Sequence, residues 1–353
     1  MSKRLIKSLR ILFTLLVAVL LFYLQERPIP SSNEPIQLYS TVCRDDLRKV
    51  YLDAINSANE SIYLIMYSLS DEKIIHALNR KAAEGVQIIV AHDPTTLQFG
   101  YESLRSIKRI PIEMNGLMHQ KILIVDGKRV WIGSANFTTE SLKLHDNLVA
   151  GVASPEFSQT ILSENAPHAF IIGGQRFEFW NLPQDRRTGL TRLIGLIEGA
   201  EQSVCVAMYT WTHPELTEAV IRAHERGVSV EVILDRGQAR GVGRNTTKRL
   251  LESGVSVWLS SGQKLLHHKC LWIDEKILVN GSANWTKAAF SKNKDCFFIL
   301  YDLSEEQQKK MRAMWSRTRM LSRMLPNKQH LLVFGERPVF IRDDHLKLID
   351  MAA

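Results

Sequence analysis

Residues 119–137 read HQKILIVDGKRVWIGSANF, and residues 267–285 repeat the plan as HHKCLWIDEKILVNGSANW. Each stretch carries His-x-Lys, an Asp seven positions after the His, and Gly-Ser-Ala-Asn at the same later offset. Lys121 to Val125 and Cys270 to Ile273 read as strands, on which residues two apart share a face about 6.6 Å apart. His119 and Lys121 therefore converge on one ligand, as do His267 and Lys269. An odd spacing makes the Asp of a regular strand face away, and Asp126-Gly127 has the composition of a hairpin turn. Asp126 and Asp274 are accordingly assigned mainly to holding the motif's architecture, with direct proton transfer the lesser option. Each Gly-Ser-Ala-Asn segment is expected to run into a helix, so that Ser134, Asn136, Ser282 and Asn284 and the nearby amides can bind phosphate oxygens.

Working outward, the chain repeats upstream of these stretches as well. Ser61, Met66, Tyr67, Ala77, Arg80, Gly85, Val86, Val90 and Asp93 recur as Ser203, Met208, Tyr209, Ala219, Arg222, Gly227, Val228, Val232 and Asp235. Each copy reads strand, helix, strand. Ser70 can cap the first helix, and Thr212 with Glu215 forms a capping box for the second, with Pro214 in its first turn. Gly85 and Gly227 end the two helices. Apolar strands alternating with helices predict an α/β fold with mostly parallel sheets buried on both faces. The expected organisation is a leader and tether over 1–35, α/β halves over 36–165 and 166–325 packed as a pseudo-dimer around one active site, and a tail over 326–353. A period this long is a domain duplication, not a solenoid.

The chain has 353 residues, 45% hydrophobic and 23% charged, which fits a globular protein and argues against wholesale disorder or a polytopic membrane protein. A net charge of +8 suits an anionic partner, phospholipid head groups or nucleic acid, as well as ordinary solubility. Cys43, Cys205, Cys270 and Cys296 form no CxxC pair, and Cys205 and Cys270, on buried strands, read as packed thiols. Lys3, Arg4, Lys7 and Arg10 precede an apolar run from Ile11 to Leu24, the pattern of a secretory signal or an uncleaved signal anchor. The run is short for a bilayer span, whereas its bulky end, Phe22-Tyr23-Leu24-Gln25, suits an anchor better than a cleavage site. This leader predicts a membrane-anchored chain with its catalytic part on the extracytoplasmic side, or a secreted one if the signal is cleaved.

The paired His-x-Lys-x4-Asp motifs, each followed by Gly-Ser-Ala-Asn, resemble the signature of the phospholipase D superfamily over about residues 36–325. The resemblance implies a phosphodiesterase working by double displacement, in which one histidine attacks phosphorus and the other protonates the leaving alcohol and then activates water or an acceptor. It implies catalytic roles for His119, Lys121, Asp126, His267, Lys269 and Asp274, and, by analogy with members such as tyrosyl-DNA phosphodiesterase, His119 as nucleophile and His267 as general acid. Family members commonly place an acidic residue to orient the imidazole. Asp146, 27 residues after His119, and Asp295, 28 after His267, are expected in that role, with solvated strand starts the alternative. Histidine is the side chain whose ordinary pKa permits both a neutral nucleophile and a protonated partner near neutrality. Lys121 and Lys269, with the four Ser and Asn side chains, would hold the charge of the phosphorane. No HExxH or clustered carboxylate motif is present, so activity without metal or cofactor is expected. One chain supplies both motifs, so a monomer suffices.

The leading expectation is a membrane-associated phospholipase D that hydrolyses phosphatidylcholine or cardiolipin to phosphatidate. Three alternatives stay open: an endonuclease, for which Trp131, Trp272 and Trp285 lie near enough to the motifs to stack bases; cardiolipin synthase-type transfer; and a non-catalytic membrane scaffold. His268 points to the opposite strand face and reads as structural. Ser304 to Leu325 reads as a helix whose stripe of Met311, Met314, Trp315, Leu321 and Leu325 packs on the sheet, with a basic membrane- or nucleic-acid-touching element as the sharper alternative.

Overall fold

A computed structural model describes residues 29–96, 106–164, 169–262 and 264–326, together with residues 13, 14, 103 and 104. Apart from residues 13 and 14, the leader's apolar run lies outside them, as does most of the tail. Among the described residues no helix is long and apolar enough to cross a membrane.

The first half builds seven strands: β1 (Gln37–Ser40), β2 (Ser61–Met66), β3 (Gln87–His92), β4 (Lys108–Pro111), β5 (Lys121–Val125), β6 (Arg129–Gly133) and β7 (Leu148–Ala153). They form one sheet in the order β1-β7-β6-β5-β2-β3-β4. The second half builds β8 (Ala169–Ile172), β9 (Gln175–Leu182), β10 (Ser203–Met208), β11 (Ser229–Leu234), β12 (Ser256–Ser260), β13 (Lys269–Ile273), β14 (Ile277–Gly281), β15 (Asp295–Leu300) and β16 (Ser322–Met324). Their order is β16-β12-β11-β10-β13-β14-β15-β9-β8, so the core of the first sheet recurs in the second.

The sheets are mixed, which corrects the expectation of mostly parallel ones. Parallel pairing is confined to β2-β3-β4 and β10-β11-β12, the strands joined through crossovers. Asp126-Gly127 and Asp274-Glu275 turn the chain straight back, so β5-β6-β7 and β13-β14-β15 run antiparallel. Asp126, Gly127, Asp274 and Glu275 all take positive φ, between 50° and 59°, as the central positions of the tight turns that close the Val125–Arg129 and Ile273–Ile277 pairs.

Both faces of the central strands are covered. In β5, Ile122 and Ile124 join a core between the sheets, whereas Leu123 and Val125 pack under the first half's helices. In β13, Cys270 and Trp272 enter the same central core and Leu271 and Ile273 face the second half's helices. Burial pushes the Cys205 thiol up to about 12 and raises Cys270 as well, as expected of packed thiols. The helix Glu72–Ala83 is capped by Asp71, whose carboxylate accepts from Ile74 N–H, one residue later than the expected Ser70. In its counterpart, Pro214–Glu225, the proline occupies the first turn and His213 stands at the cap position, so the Thr212 capping box does not form. Gly85 and Gly227, at φ 93° and 88°, follow the two helix ends.

The helix Glu305–Met320 buries Met311, Met314 and Trp315, while Leu321 is half exposed. It packs on Thr41–Cys43 and β1 of the first half and on β12 and β16 of the second, clasping the two. Lys310 pairs with Asp45, Arg312 with Glu275 and Arg319 with Glu231, so much of its charge is already engaged by the body of the protein.

Candidate active site

The two halves meet through a pair of reciprocal backbone bridges beside the motif histidines. His119 N–H donates to the Lys294 carbonyl at 2.8 Å, and Lys294 N–H returns to the Leu117 carbonyl at 2.8 Å. On the other side Asp146 N–H donates to the Leu265 carbonyl at 2.9 Å, and His267 N–H to the Asp146 carbonyl at 3.0 Å. The residue before each histidine is pinned within its own half: Asp93 accepts from Met118 N–H at 2.7 Å and Asp235 from Leu266 N–H at 3.2 Å. Each motif histidine thus enters its strand with the preceding residue held at the end of β3 or β11 and its own backbone held by the opposite half of the molecule.

The side chains are exchanged across the same seam. His119 Nδ1 lies 2.8 Å from Asp295 Oδ1, and His267 Nδ1 lies 3.0 Å from Asn147 Oδ1. Ser282 Oγ donates to Asp295 Oδ1 at 2.7 Å, and Ser134 Oγ donates to Asn147 Oδ1 at 2.8 Å. Asp295 therefore orients an imidazole, but that of the other half. Asp146 does not: its carboxylate pairs with Lys264 at 2.7 Å. A one-residue shift along a strand turns a side chain to the other face. Asn147 takes the position instead, and its spacing of 28 from His119 equals that of Asp295 from His267. That equality is the signal that could have found it.

Ser134 and Ser282 are fully buried and stand behind the histidines. Besides donating to Asn147 and Asp295, they accept from Leu148 N–H at 3.1 Å and Cys296 N–H at 3.0 Å, so their hydroxyls support the imidazole partners and do not face a phosphate. The short helices Thr139–Lys143 and Lys287–Ser291 are capped by Thr138 and Thr286, which accept from Ser141 N–H and Ala289 N–H. Each cap thus takes up one of the helix N–H groups expected to face phosphate. Asn136 and Asn284 remain partly accessible; Asn284 Oδ1 accepts from Thr210 N–H at 3.3 Å.

Lys121 and Lys269 are buried, and each ammonium donates to the carbonyl of its own motif histidine. Lys121 also lies 5.0 Å from the centre of the Tyr67 ring, and Lys269 4.7 Å from that of Tyr209. The same tyrosines pack against the histidines, at 5.0 Å between ring centres in both halves. Tyr67 and Tyr209 stand out in the sequence only as members of the repeat; the structure brings both to the site. Asp126 and Asp274 lie elsewhere. Asp126 accepts from the N–H groups of Asn59, Glu60 and Ser61, and Asp274 from those of Glu201, Gln202 and Ser203.

Burial dominates the electrostatics. It lowers Lys121 to about 7, against the pull of Asp295, and sends Lys269 well below its ordinary value with Lys121 adding to the effect. His119 is lowered by burial and by Lys121, which Asp295 offsets in part. His267 is pushed further down, by burial and then by Lys269, Lys121, His119 and His145. Burial would raise Asp295, but His119, Lys121 and Ser282 hold it below the usual carboxylate range. The Asp295 carboxylate and the Asn147 amide oxygen can only accept, so each Nδ1 carries its hydrogen toward the partner, and a neutral His119 then has its lone pair at Nε2. Both motif lysines and both motif histidines act on one another, so four potential cations crowd one buried site. Against these four Asp295 is the carboxylate in direct contact with a motif histidine, so the site favours a further anion. Among the described residues no group of three or more His, Cys, Asp and Glu is arranged to hold a metal ion.

Residues 51–165 and 193–316 match the family described as cardiolipin synthase, PLD-like domain, one match in each half. The chain belongs to the phospholipase D superfamily. It is 30% identical over 115 residues to a mitochondrial cardiolipin hydrolase of Chlamydomonas reinhardtii, covering 33% of this chain and 51% of that protein. It is 34% identical over 119 residues to a phospholipase D of Rickettsia bellii, covering 32% of this chain and 59% of that one. The chain thus spans between half and three fifths of the length of these relatives. The crystal structure of a Haemophilus influenzae phosphatidylserine synthase superposes with a TM-score of 0.68 at 14% identity, covering 91% of this chain and 93% of that one. At that identity the likeness concerns the fold, and it extends over both halves. Within this superfamily fold, the chain backs its two histidines unequally, with a carboxylate for one and an amide for the other.

Proposed function

We propose that this chain is a phospholipase D-type phosphodiesterase that hydrolyses glycerophospholipids, phosphatidylcholine or cardiolipin, to phosphatidate, acting at a membrane to which its N-terminal leader tethers it. The observation that carries the reading is the exchange across the seam: each imidazole is held at Nδ1 by a side chain of the other half, with two buried ammonium groups beside the pair. A diester anion entering this site supplies the charge that the lysines and His267 lack, and so favours their protonated forms. Nε2 of His119 attacks phosphorus; the new N–P bond forms as the bond to the leaving alcohol breaks, and Nε2–H of His267 gives its proton to the departing oxygen. In the second step His267 takes a proton from water as the water oxygen attacks phosphorus. The N–P bond breaks, phosphatidate leaves and His119 is restored. Lys121 and Lys269 hold the equatorial oxygens through both steps.

The names of the relatives, a cardiolipin hydrolase and a phospholipase D, support a lipid substrate. So does the burial of Trp131, Trp272 and Trp285, which removes the indoles that a nuclease would use to stack bases. The test incubates purified protein with labelled phosphatidylcholine, cardiolipin and single-stranded DNA beside a His119→Ala control. Release of phosphatidate that the control lacks is expected. Cleavage of DNA alone would make the chain a nuclease, acceptor-dependent cardiolipin formation a transferase, and turnover equal to the control's would leave a scaffold.

A further inference from the structure

We propose that Asn147 is a positioning residue that makes the two imidazoles unequal, keeping His267 the readier proton donor and leaving His119 the better seat for a phosphoryl group. The inference deepens the phosphodiesterase reading and rests on it for its catalytic meaning. The repeat supplies an internal comparison. Adding 148 to His119, Ser134 and Asn147 gives His267, Ser282 and Asp295, so the two sites are built from the same positions. In both, a buried serine hydroxyl donates to the oxygen that faces the imidazole, at 2.8 and 2.7 Å. What differs is the group carrying that oxygen: an amide toward His267, a carboxylate toward His119.

The amide cannot turn over without loss. Asn147 is fully buried, and its Nδ2 donates to the Ser141 carbonyl at 2.8 Å, with Ser141 Oγ at 3.3 Å and the His145 carbonyl at 3.4 Å. Oδ1 is thereby committed to His267 Nδ1 and Ser134 Oγ. The remaining surroundings of His267 do not supply the missing negative charge. Lys269 lies on its own strand, Lys121 and His119 come from the other half, and the His145 ring is 6.2 Å away. Tyr209 packs against the ring at the end of β10. Asp146 nearby is engaged by Lys264, and Asp235 accepts from Leu266 N–H. An imidazolium at His267 is therefore met at Nδ1 by a dipole alone, whereas a cation at His119 is met by a charge.

The division of labour follows from that difference. Phosphorylation at Nε2 of His119 leaves a cationic ring with its Nδ1–H against Asp295, so the carboxylate stabilises the covalent intermediate. A proton on Nε2 of His267 has no such partner and passes to the leaving oxygen more easily. With a carboxylate on both sides the two rings would compete for the same proton. The amide removes the competition.

The experiment titrates the histidine rings by NMR in ring-labelled protein, with His267 assigned through His267→Gln, and compares wild type with Asn147→Asp. The expected result is that His267 titrates ~1–3 pH units higher in Asn147→Asp while His119 moves less. The basic limb of kcat/KM for hydrolysis of phosphatidylcholine in mixed micelles should move up by the same amount. A structural role alone would lower activity without moving either. A His267 titration unchanged in Asn147→Asp would overturn the proposal. Should that variant fail to fold, Asp295→Asn gives the converse reading: His119 is expected to fall toward the His267 value, and an unmoved His119 would refute the proposal equally. The titration reads the ring partner whether or not the chosen lipid is turned over, so failure of the inference and failure of the phosphodiesterase reading are told apart.

Discussion

Replacing Asp126 by Ala separates the two meanings that a motif aspartate can have. Its carboxylate accepts from three successive backbone N–H groups at the entry to β2, at 3.1 Å from Asn59, 2.8 Å from Glu60 and 3.0 Å from Ser61, and its own N–H donates to the Ser61 carbonyl at 2.8 Å. The Asp126 N–H and the Asp126 carboxylate thus clamp the end of β5 to the start of β2 from both sides. A charged acceptor contributes about 1.5–3 kcal/mol per hydrogen bond, but the three share one carboxylate and water can reach part of the loop, so the sum is well below additive. Alanine would also have to hold a φ of 53°, which costs about 1–2 kcal/mol for a residue whose side chain cannot bond locally. Together these give a loss on the order of 3–5 kcal/mol and a fall in Tm on the order of 10 °C. The effect has a pH signature. Burial would raise the Asp126 carboxyl, yet the N–H groups of Ser61, Glu60 and Asn59 and the Arg129 guanidinium hold it below its ordinary value. A depressed folded value means stability that is present above the unfolded pKa, near about 3.9, and is lost as pH falls through the folded one. The gap between wild type and Asp126→Ala should therefore be full at about pH 7 and smaller at about pH 2, where the positive φ of alanine still costs. Thermal unfolding followed by circular dichroism at both pH values checks this, with turnover per folded molecule measured at low temperature. Turnover within a few-fold of wild type is expected. An unchanged Tm with activity down at the His119→Ala level would refute the reasoning and return Asp126 to the chemistry.

Four further outcomes are expected of the same fold and site. Gly133→Ala would set a Cβ 2.3 Å from the Leu148 carbonyl oxygen and 2.8 Å from Val149 Cα, so β6 and β7 must part; a loss of about 3 kcal/mol or more is expected in urea unfolding. Gly127→Ala meets no atom within 4 Å and should cost only the positive φ, so finding Gly127→Ala the worse of the two would count against this packing. Burial lowers His268 to about 3 and, among the described residues, neither ring nitrogen has a hydrogen-bond partner, while the equivalent Gln120 donates to Asn181 at 2.8 Å. The unfolded chain takes up that proton near about pH 6.5, so stability is full above this value and falls by up to about 1.4 kcal/mol per pH unit toward about pH 3; His268→Gln should lower the pH of half-unfolding, and an unchanged acid midpoint would contradict it. Asp146→Asn should keep kcat/KM within about threefold of wild type while Asn147→Ala loses on the order of 10- to 100-fold, by analogy with removal of the partner that fixes a metal-bound imidazole; the reverse order would restore Asp146 to the site. In the proposed mechanism Lys121 and Lys269 supply the positive charge, so hydrolysis should survive dialysis against EDTA, and activity that vanishes and returns with a divalent ion would overturn that assignment.

What is legible in the sequence is what each copy does within itself. The alternation in β5 and β13, the glycine-ended helices and the convergence of His and Lys are local matters of period and turn chemistry, and the residues announce them. The hairpins at Asp126-Gly127 and Asp274-Glu275 are legible too, yet their consequence for strand direction is easily passed over, because apolar strands between helices suggest crossovers more strongly than a two-residue turn suggests a meander. What the residues of one copy cannot announce is the exchange of imidazole partners, since it depends on how two copies dock. A carboxylate at Asp146 is the chemically expected partner, and chemical type outweighs a spacing that is one residue off. The repeat itself holds the correction: positions equivalent to Asp295 and Ser282 fall on Asn147 and Ser134, and the structure finds those residues behind His267. In a duplicated enzyme the offset between copies is therefore better evidence for a role than residue type, because docking preserves positions while each copy remains free to change its chemistry. The amide at Asn147 is such a change, and in the proposed mechanism it falls at the point where two equivalent halves perform different halves of one reaction.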